Sequence, residues 1–249
     1  MNVKREKRIL KELKELHESR DLLKQSGIYI DYNEDDINTV RALLIGPEKT
    51  PYEKGFYLFE FIYPAKYPMQ PPLARFATQG KIGSTHIRFN PNLYTCGKVC
   101  LSLLNTWNGP GWVPTNTISN VLISIQALVL IDEPLRNEPG FENEPKESKR
   151  IGNYSEMIEF ANIKIAVLDM IFNHPSEFIA FQPIMKEIFL QNVDYYICFV
   201  ESKDDNKINE NFQKNNPYSM YLKVNFKEMK NKIDDIKRRI LECDEEIDT

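Results

Sequence analysis

The sequence predicts an α+β fold in which helices precede and follow one antiparallel sheet. Apolar residues in the first segment recur at helical spacing, whereas the stretch from Gly27 to Phe76 contains short runs with the period of two that is typical of strands. Helical spacing returns after Thr117. Because short turns separate the strand-like runs, we expect neighbouring strands to pair in sequence order as an antiparallel meander.

The first element is predicted to be an amphipathic helix. Its apolar residues recur three or four positions apart along one face: Ile9, Leu10, Leu13 and Leu16. The other face is basic, with Lys4, Arg5, Lys7, Arg8, Lys11 and Lys14. Such a face is either a solvated surface or a docking site for a partner, and the sequence leaves both interpretations open.

Four strand-like runs come next. They cover Ile28 to Tyr32, Val40 to Leu44, Phe56 to Ile62 and Leu73 to Phe76. Turn-forming residues separate the first three runs, at positions 33–36 and 46–47. Three or four sequential strands linked by short turns make the sheet of the predicted meander.

Two segments with rigid composition interrupt the periodic pattern. Residues 63–72 contain four prolines, which are not tolerated in a central strand or a helix interior. Residues 105–114 contain both tryptophans of the chain together with glycine and proline. We expect both segments to be rigid loops, and residues 77–84 to be a flexible connection.

The second half of the chain is predicted to be helical. One strongly apolar helix begins at Thr117 and continues to about Leu130, and further helices cover Tyr154 to Phe172, Gln182 to Phe199 and Asn225 to Cys243. We divide the chain into a core, residues 1–145, and a helical C-terminal extension, residues 146–249. The extension is expected to pack on the core or to continue it.

Composition narrows the class of protein. The chain has 249 residues, 42% of them hydrophobic and 27% charged, and a net charge of −4, which argues against bulk binding of nucleic acid. Four cysteines are too few for a disulfide framework, and no secretory signal or membrane-spanning run is recognised. We therefore expect no membrane insertion and a compartment that keeps thiols reduced, the cytoplasm and possibly also the nucleus.

The run from Arg88 to Leu101 is the most informative stretch. It places Asn92 eight residues ahead of Cys100, across a loop with proline and glycine. A thiolate is a strong nucleophile and a good leaving group, so one cysteine can accept an acyl group and pass it on. An amide N–H beside the sulfur can stabilise the oxyanion of that transfer. The run therefore suggests acyl transfer through a thioester.

Cys96, four residues before Cys100, could instead indicate a metal pair. No second Cys or His pair of suitable spacing follows in the sequence, so a zinc site is not expected.

Taken together, these motifs resemble those of the ubiquitin-conjugating enzyme family. The resemblance includes Gly46-Pro47, Tyr67-Pro68-Met69-Gln70-Pro71-Pro72 and Gly97-Lys98-Val99-Cys100-Leu101, in order and at compatible spacing from Lys4 to Phe141. It implies an N-terminal helix, a four-stranded meander and C-terminal helices. A narrower resemblance, to the large Z-type members, lies in residues 88–92, 106–114 and 137–142.

The resemblance implies a set of catalytic residues. Cys100 would be the acceptor cysteine, and the amide of Asn92 would stabilise the oxyanion when a substrate lysine attacks. Glu138 aligns with an acid of the family and would desolvate, orient or help to deprotonate the incoming amine; the alternative is a solvated loop carboxylate. The usual histidine of the family is Asn90 here, a position credited with shaping the loop.

The resemblance also implies partners. These are ubiquitin or a ubiquitin-like protein, an activating enzyme, a ubiquitin ligase and protein substrates; ATP is used by the activating enzyme, so no cofactor is expected. The partner surface would combine the first helix with two exposed apolar loops. Its predicted residues are Lys4, Arg5, Arg8, Pro68, Met69, Trp112 and Pro114. We expect Met69 and Pro114 to be exposed and Trp107 to be in the core. Trp112 is expected to be exposed with Pro114, and a buried Trp112 is the alternative.

Two other classes of function compete with this interpretation. A non-catalytic binding module of the same fold normally lacks the acceptor cysteine, so Cys100 argues against it. A cysteine hydrolase needs a base beside the thiol. The available histidines are His17, His86 and His174, and only His86 is close to the motif in sequence.

Overall fold

The fold is α+β, as predicted. The structure, a computed structural model, describes residues 3–33, 35–145, 147–203, 208, 212 and 217–245. A helix precedes a four-stranded antiparallel sheet, and further helices follow it. No helix within these residues has the length and apolar character needed to cross a membrane.

Helix α1, Val3–Glu18, has the predicted amphipathic character, and α2, Arg20–Gln25, follows it directly. Ile9, Leu13 and Leu16 are buried. Leu10 is 53% exposed, because it lies about 100° around the helix from Ile9 and points away from the sheet. Fewer apolar residues of α1 are therefore buried than the sequence predicts.

The predicted meander is present. Strands β1 (Ile28–Asn33), β2 (Asp36–Ile45), β3 (Phe56–Ile62) and β4 (Leu73–Phe76) pair antiparallel in the order β1-β2-β3-β4. A hairpin of two-residue strands, β5 (Lys81–Ile82) and β6 (Thr85–His86), occupies part of the stretch predicted as a flexible connection. Strands this short leave no period-two signal in the sequence.

One face of the sheet carries an aromatic core. Side chains alternate between the faces, so Tyr57, Phe59 and Phe61 on β3 share one face. They are fully buried, and Phe59 packs against Phe76 with ring centroids 5.2 Å apart. Helix α3, Ile118–Leu128, follows Thr117, where the sequence predicts that a helix begins. A capping box at Thr117 satisfies its first turn, and the helix buries Ile118, Val121, Leu122 and Ile125.

The opposite face of the sheet is also buried. Leu43 and Leu58 pair across β2 and β3 and are both 0% exposed. A 3-10 segment, Ser176–Phe181, covers this face: it contacts β1, and its Glu177 lies 2.7 Å from Arg75 on β4. Both sheet faces are therefore covered by protein, which explains why β3 is an almost continuous apolar run.

Helices fill the C-terminal half. Helix α4 (Lys149–Ala161) continues through a π-helical segment (Asn162–Asp169) into α5 (Met170–Asn173), and α8 covers Phe226–Glu245. The predicted single helix from Gln182 to Phe199 was wrong. It is two helices, α6 (Gln182–Gln191) and α7 (Val193–Glu201), separated at Asn192. The Asn192 side chain donates to the carbonyl of Ile188 (2.8 Å), an alternative to continuing the helix.

Asn162 attaches the C-terminal helices to the sheet. Its side chain accepts from the Tyr57 hydroxyl (2.6 Å) and donates to the carbonyl of Glu53 (2.9 Å). Gly55 makes this approach possible, because a Cβ there would lie 1.8 Å from the Asn162 Oδ1. The region beyond residue 145 thus packs on the core, while the boundary at 145 stays a prediction.

Glu12 joins three elements in the interior. It is 1% exposed, and its carboxylate accepts from the backbone N–H of Ile118 (2.6 Å) and from the hydroxyl of Tyr67. Burial raises the pKa of Glu12 above its usual value near 4.5, although the bonds from Tyr67 and Ile118 oppose that rise. This carboxylate holds α1, the proline-rich loop and the start of α3 together.

Glu12→Gln is expected to change how stability depends on pH. Between about 4.5 and the raised folded pKa of Glu12, the folded chain binds more protons than the unfolded chain, so stability falls as pH rises through that window. When the pH is lowered through this window, wild type should therefore gain stability relative to Glu12→Gln, by about 1.4 kcal/mol for each pH unit. Urea unfolding of both proteins across a pH series measures this difference. The exposed Glu15→Gln on the same helix is the control. A difference that stays flat with pH would contradict the prediction.

Candidate active site

Asn92 and Cys100 lie side by side. The N–H of Cys100 donates to the carbonyl of Asn92 (2.9 Å), and the Asn92 side-chain amide donates to the carbonyl of Cys100 (2.9 Å). This reciprocal pair closes the loop between the two residues. Both are buried, Cys100 to 2% and Asn92 to 7% exposure, so the thiol is largely shielded from solvent.

Asn90 positions this pair. It is fully buried; its side-chain oxygen accepts from the N–H of Asn92 (2.8 Å), and its amide nitrogen donates to the Tyr52 hydroxyl (2.9 Å) and the Val129 carbonyl (2.7 Å). The Tyr52 hydroxyl in turn donates to the carbonyl of Phe89 (2.8 Å). The sequence points to Asn90 as a shape-setting position, and these bonds show how it shapes the loop.

The side-chain oxygen of Asn92 differs from the polar atoms of Asn90. It is buried and has no hydrogen-bond partner within the described residues. A buried acceptor left unpaired costs about 1–3 kcal/mol. The amide nitrogen of Asn92 has two N–H groups, of which the carbonyl of Cys100 accepts one. The Asn92 amide therefore offers hydrogen bonds to a reacting group.

A tight turn separates the two cysteines of the run. The N–H of Tyr94 donates to the carbonyl of Lys98 (3.0 Å), and Gly97 adopts φ +88°, a left-handed conformation that favours glycine. Cys96 lies in this turn and is exposed, whereas Cys100 is buried after it. The described residues contain no group of three or more His, Cys, Asp or Glu side chains that could hold a metal ion.

Thr106 holds the chain on both sides of Cys100. Its hydroxyl accepts from the N–H of Leu101 (2.9 Å) and donates to the carbonyl of Val99 (2.8 Å). The backbone around the thiol is therefore fixed by the loop that follows it as well as by Asn92.

Glu138 follows a 3-10 turn, Pro134–Asn137, and is half-buried. The side-chain amide of Asn137 donates to the carbonyl of Leu128 (3.0 Å) and to the side-chain oxygen of Asn90 (3.3 Å). This places the Glu138 segment beside the loop that carries Asn92. The carboxylate of Glu138 accepts from the hydroxyl of Tyr218.

Arg88 connects the active-site loop to the C-terminal region. Its side chain donates to the carbonyl of Pro91 (2.5 Å), and its guanidinium lies 4.0 Å from the ring centroid of Tyr94 and 4.4 Å from that of Tyr218. The Tyr154 hydroxyl donates to the carbonyl of Arg88 (2.7 Å). Sequence reasoning missed Tyr218, which lies close to a polar stretch with no recognisable motif.

The solvent exposure of the two tryptophans is the reverse of the prediction. Trp112 is 9% exposed, and its indole N–H donates to the carbonyl of Pro68 (2.7 Å), so its predicted exposure is wrong. Trp107 is 40% exposed, so its predicted place in the core is also wrong. Trp112 has a backbone carbonyl for its N–H on the facing loop, which is what a buried indole needs. Met69, 73% exposed, and Pro114 are exposed as predicted.

Two of the predicted basic partner residues make internal contacts. The Arg5 side chain donates to the carbonyls of Pro64 (2.8 Å) and Tyr63 (2.6 Å), and the Arg8 side chain donates to that of Asn116 (2.8 Å). These cations attach α1 to the loops beside it. Lys4 is exposed, as a partner contact requires.

The histidines do not form a base beside the thiol. None of the three hydrogen-bonds Cys100 or Asn92 within the described residues. His86 is exposed, and His174 contacts the carbonyl of Met170 (3.0 Å). This arrangement does not favour a cysteine hydrolase.

Residues 8–161 match the family model of the ubiquitin-conjugating enzymes. The chain is 44% identical over 172 residues to the ubiquitin-conjugating enzyme E2 Z of Danio rerio and, likewise, to that of Homo sapiens. Each match covers 68% of this chain, and 50% and 47% of those proteins. It is also 37% identical over 204 residues to the human dual E2 ubiquitin-conjugating enzyme/E3 ubiquitin-protein ligase BIRC6, covering 79% of this chain and 4% of that protein. The chain thus spans about half the length of the E2 Z relatives.

Asn90→Ala is expected to lower the free energy of unfolding by about 3 kcal/mol, because it leaves several buried groups unpaired. These include the Tyr52 hydroxyl, the Val129 carbonyl and the N–H of Asn92. Urea unfolding followed by fluorescence measures the change. Asn173→Ala removes an exposed asparagine and should cost less than about 0.5 kcal/mol. Equal stability of the two variants would show that the Asn90 bonds do not hold the loop.

Proposed function

The chain belongs to the ubiquitin-conjugating enzyme family and is similar to its Z-type members, and from this premise we propose that Cys100 is the residue that carries the modifier. In this proposal Cys100 accepts the C-terminus of ubiquitin or a ubiquitin-like protein as a thioester and passes it to a substrate lysine. The observation that supports it is the reciprocal pairing of Asn92 with Cys100.

Two acyl transfers make up the proposed reaction. In the first, the Cys100 thiolate attacks the thioester carbonyl presented by the activating enzyme; a new S–C bond forms as the old one breaks, and the leaving thiolate takes up a proton. In the second, a lysine amine attacks the Cys100 thioester; an N–C bond forms, the amine loses a proton, and the Cys100 thiolate leaves. ATP is consumed by the activating enzyme, so neither step needs a cofactor here.

Asn92 would stabilise the second transfer. Attack on the thioester creates an oxyanion, and the second N–H of the Asn92 amide can donate to it without moving the bond to Cys100. The unpaired side-chain oxygen of Asn92 can accept from the incoming amine. Because Asn90 fixes the backbone of Asn92, these groups are preorganised before the substrate arrives.

Glu138 would act on the amine. A carboxylate near the thioester can orient a lysine and take up the proton that the amine loses. The bonds of Asn137 attach its segment to the Asn90 loop, which supports this role.

The exposed loops would receive the partner proteins. Met69 and Pro114 lie on two loops that the Trp112 bond to Pro68 joins, and Lys4 is exposed on α1. We assign this surface to the activating enzyme and the ligase. An enclosed thiol such as Cys100 also suits a slender extended chain end better than a bulky acyl donor.

Cys100→Ser is expected to replace a labile adduct with a stable one. Incubation with activating enzyme, ATP and ubiquitin should give wild type a covalent adduct that reductant removes, because thioesters exchange with thiols. Cys100→Ser should give either no adduct or a reductant-stable ester, as seen on gels run with and without reductant. The control Cys96→Ser should behave as wild type. If no ubiquitin-like protein forms an adduct with wild type, the proposal fails.

Asn92→Ala is expected to separate charging from transfer. Charging of Cys100 should survive, whereas discharge of the thioester to free lysine should slow about 100-fold, the effect of losing one oxyanion donor. Single-turnover discharge of pre-charged enzyme measures the second step. If charging itself is lost, Asn92 has a mainly structural role.

A further inference from the structure

A C-terminal strap, residues 218–221, crosses the active-site loop. The Tyr218 ring lies against the Arg88 guanidinium and has its centroid 5.8 Å from that of Tyr154. The backbone N–H of Arg88 donates to the sulfur of Met220 (3.4 Å). The Thr85 hydroxyl donates to the carbonyl of Tyr221 (3.1 Å). Contacts at several positions therefore fix the strap on the chain that leads to Asn92.

The backbone of the strap is strained in a way that places Tyr218. Tyr218 and Ser219 have φ values of +59° and +53°, in the left-handed region that non-glycine residues seldom occupy. Residues of this kind cost about 1–3 kcal/mol each and persist only where the surroundings over-determine them. The contacts of the strap therefore hold Tyr218 in a backbone conformation that is unfavourable in itself.

The Tyr218 hydroxyl donates to the carboxylate of Glu138, 80 residues away in the sequence. Burial and the neighbouring carboxylate raise the pKa of Tyr218, so the hydroxyl stays protonated and remains a donor. Because both side chains are half-buried, water competes poorly for the carboxylate. The bond limits the rotation of the Glu138 side chain.

We propose that Tyr218 is a positioning residue for the transfer to lysine, acting by holding the Glu138 carboxylate in the orientation that meets the incoming amine. This inference rests on the proposed function and extends it, because it gives the C-terminal region a part in the reaction. Tyr218 does not touch the reacting atoms; it acts through Glu138.

Tyr218→Phe tests the inference, because it removes the hydroxyl and keeps the ring that contacts Arg88. Charging of Cys100 should be unchanged. Discharge to free lysine should slow about tenfold at saturating lysine, with the half-saturating lysine concentration unchanged, as expected when a charge-assisted bond that orients a reacting group is lost. Tyr94→Phe makes the same change on another ring that contacts Arg88 and should leave discharge at the wild-type rate.

A double-mutant cycle with Glu138→Gln tests whether Tyr218 affects discharge through Glu138. If Tyr218 acts through Glu138, Tyr218→Phe should not slow discharge further in the Glu138→Gln background. Additive effects, normal discharge in Tyr218→Phe, or a loss of charging in that variant would each overturn the inference. Failure of wild type to charge Cys100 would instead overturn the proposed function. If wild type charges but Glu138→Gln discharges normally, the inference fails and the thioester function stands.

Discussion

The candidate active site depends on the need of one buried amide to satisfy its hydrogen bonds. Asn90 has no contact with solvent, so its donors and acceptor must find partners inside the protein. Those partners are the Tyr52 hydroxyl, the carbonyl of Val129 after α3, and the backbone of Asn92. Asn137 adds the segment that carries the candidate acid. The Asn90 side chain thus sets the relative positions of the turn that contains Tyr52, helix α3 and the loop that contains Cys100.

A second buried group, the Glu12 carboxylate, helps to fix the loops that carry Met69 and Pro114. Glu12 receives bonds from the proline-rich loop and from the start of α3, and the indole of Trp112 joins the later loop to Pro68. The exposed side chains Met69 and Pro114 are therefore carried on a base that is fixed from within. A rigid apolar surface loses little conformational entropy on binding, which suits the partner role proposed for these loops.

Features with local signals could be predicted from the sequence. The four strands, α1 and α3 follow from residue period and turn chemistry within short windows, whereas the pairing of Asn92 with Cys100 is expected from the motif spacing and the family resemblance. The environments of the tryptophans, the internal bonds of Arg5 and the contact of Tyr218 with Glu138 could not be predicted. Those of Trp112, Arg5 and Tyr218 depend on partners more than 40 residues away, where composition and spacing contain no information.

The covered outer face of the sheet has an evolutionary consequence. Leu43 and Leu58 are fully buried on the sheet face whose Arg75 contacts the 3-10 segment that contains Phe178, so they behave as interior residues. Interiors tolerate changes that conserve volume and resist the others. Sequence drift on this face should therefore be slow, and changes there should be accompanied by compensating changes at positions 176–181. Across related chains, the two regions should co-vary as the two sides of one interface.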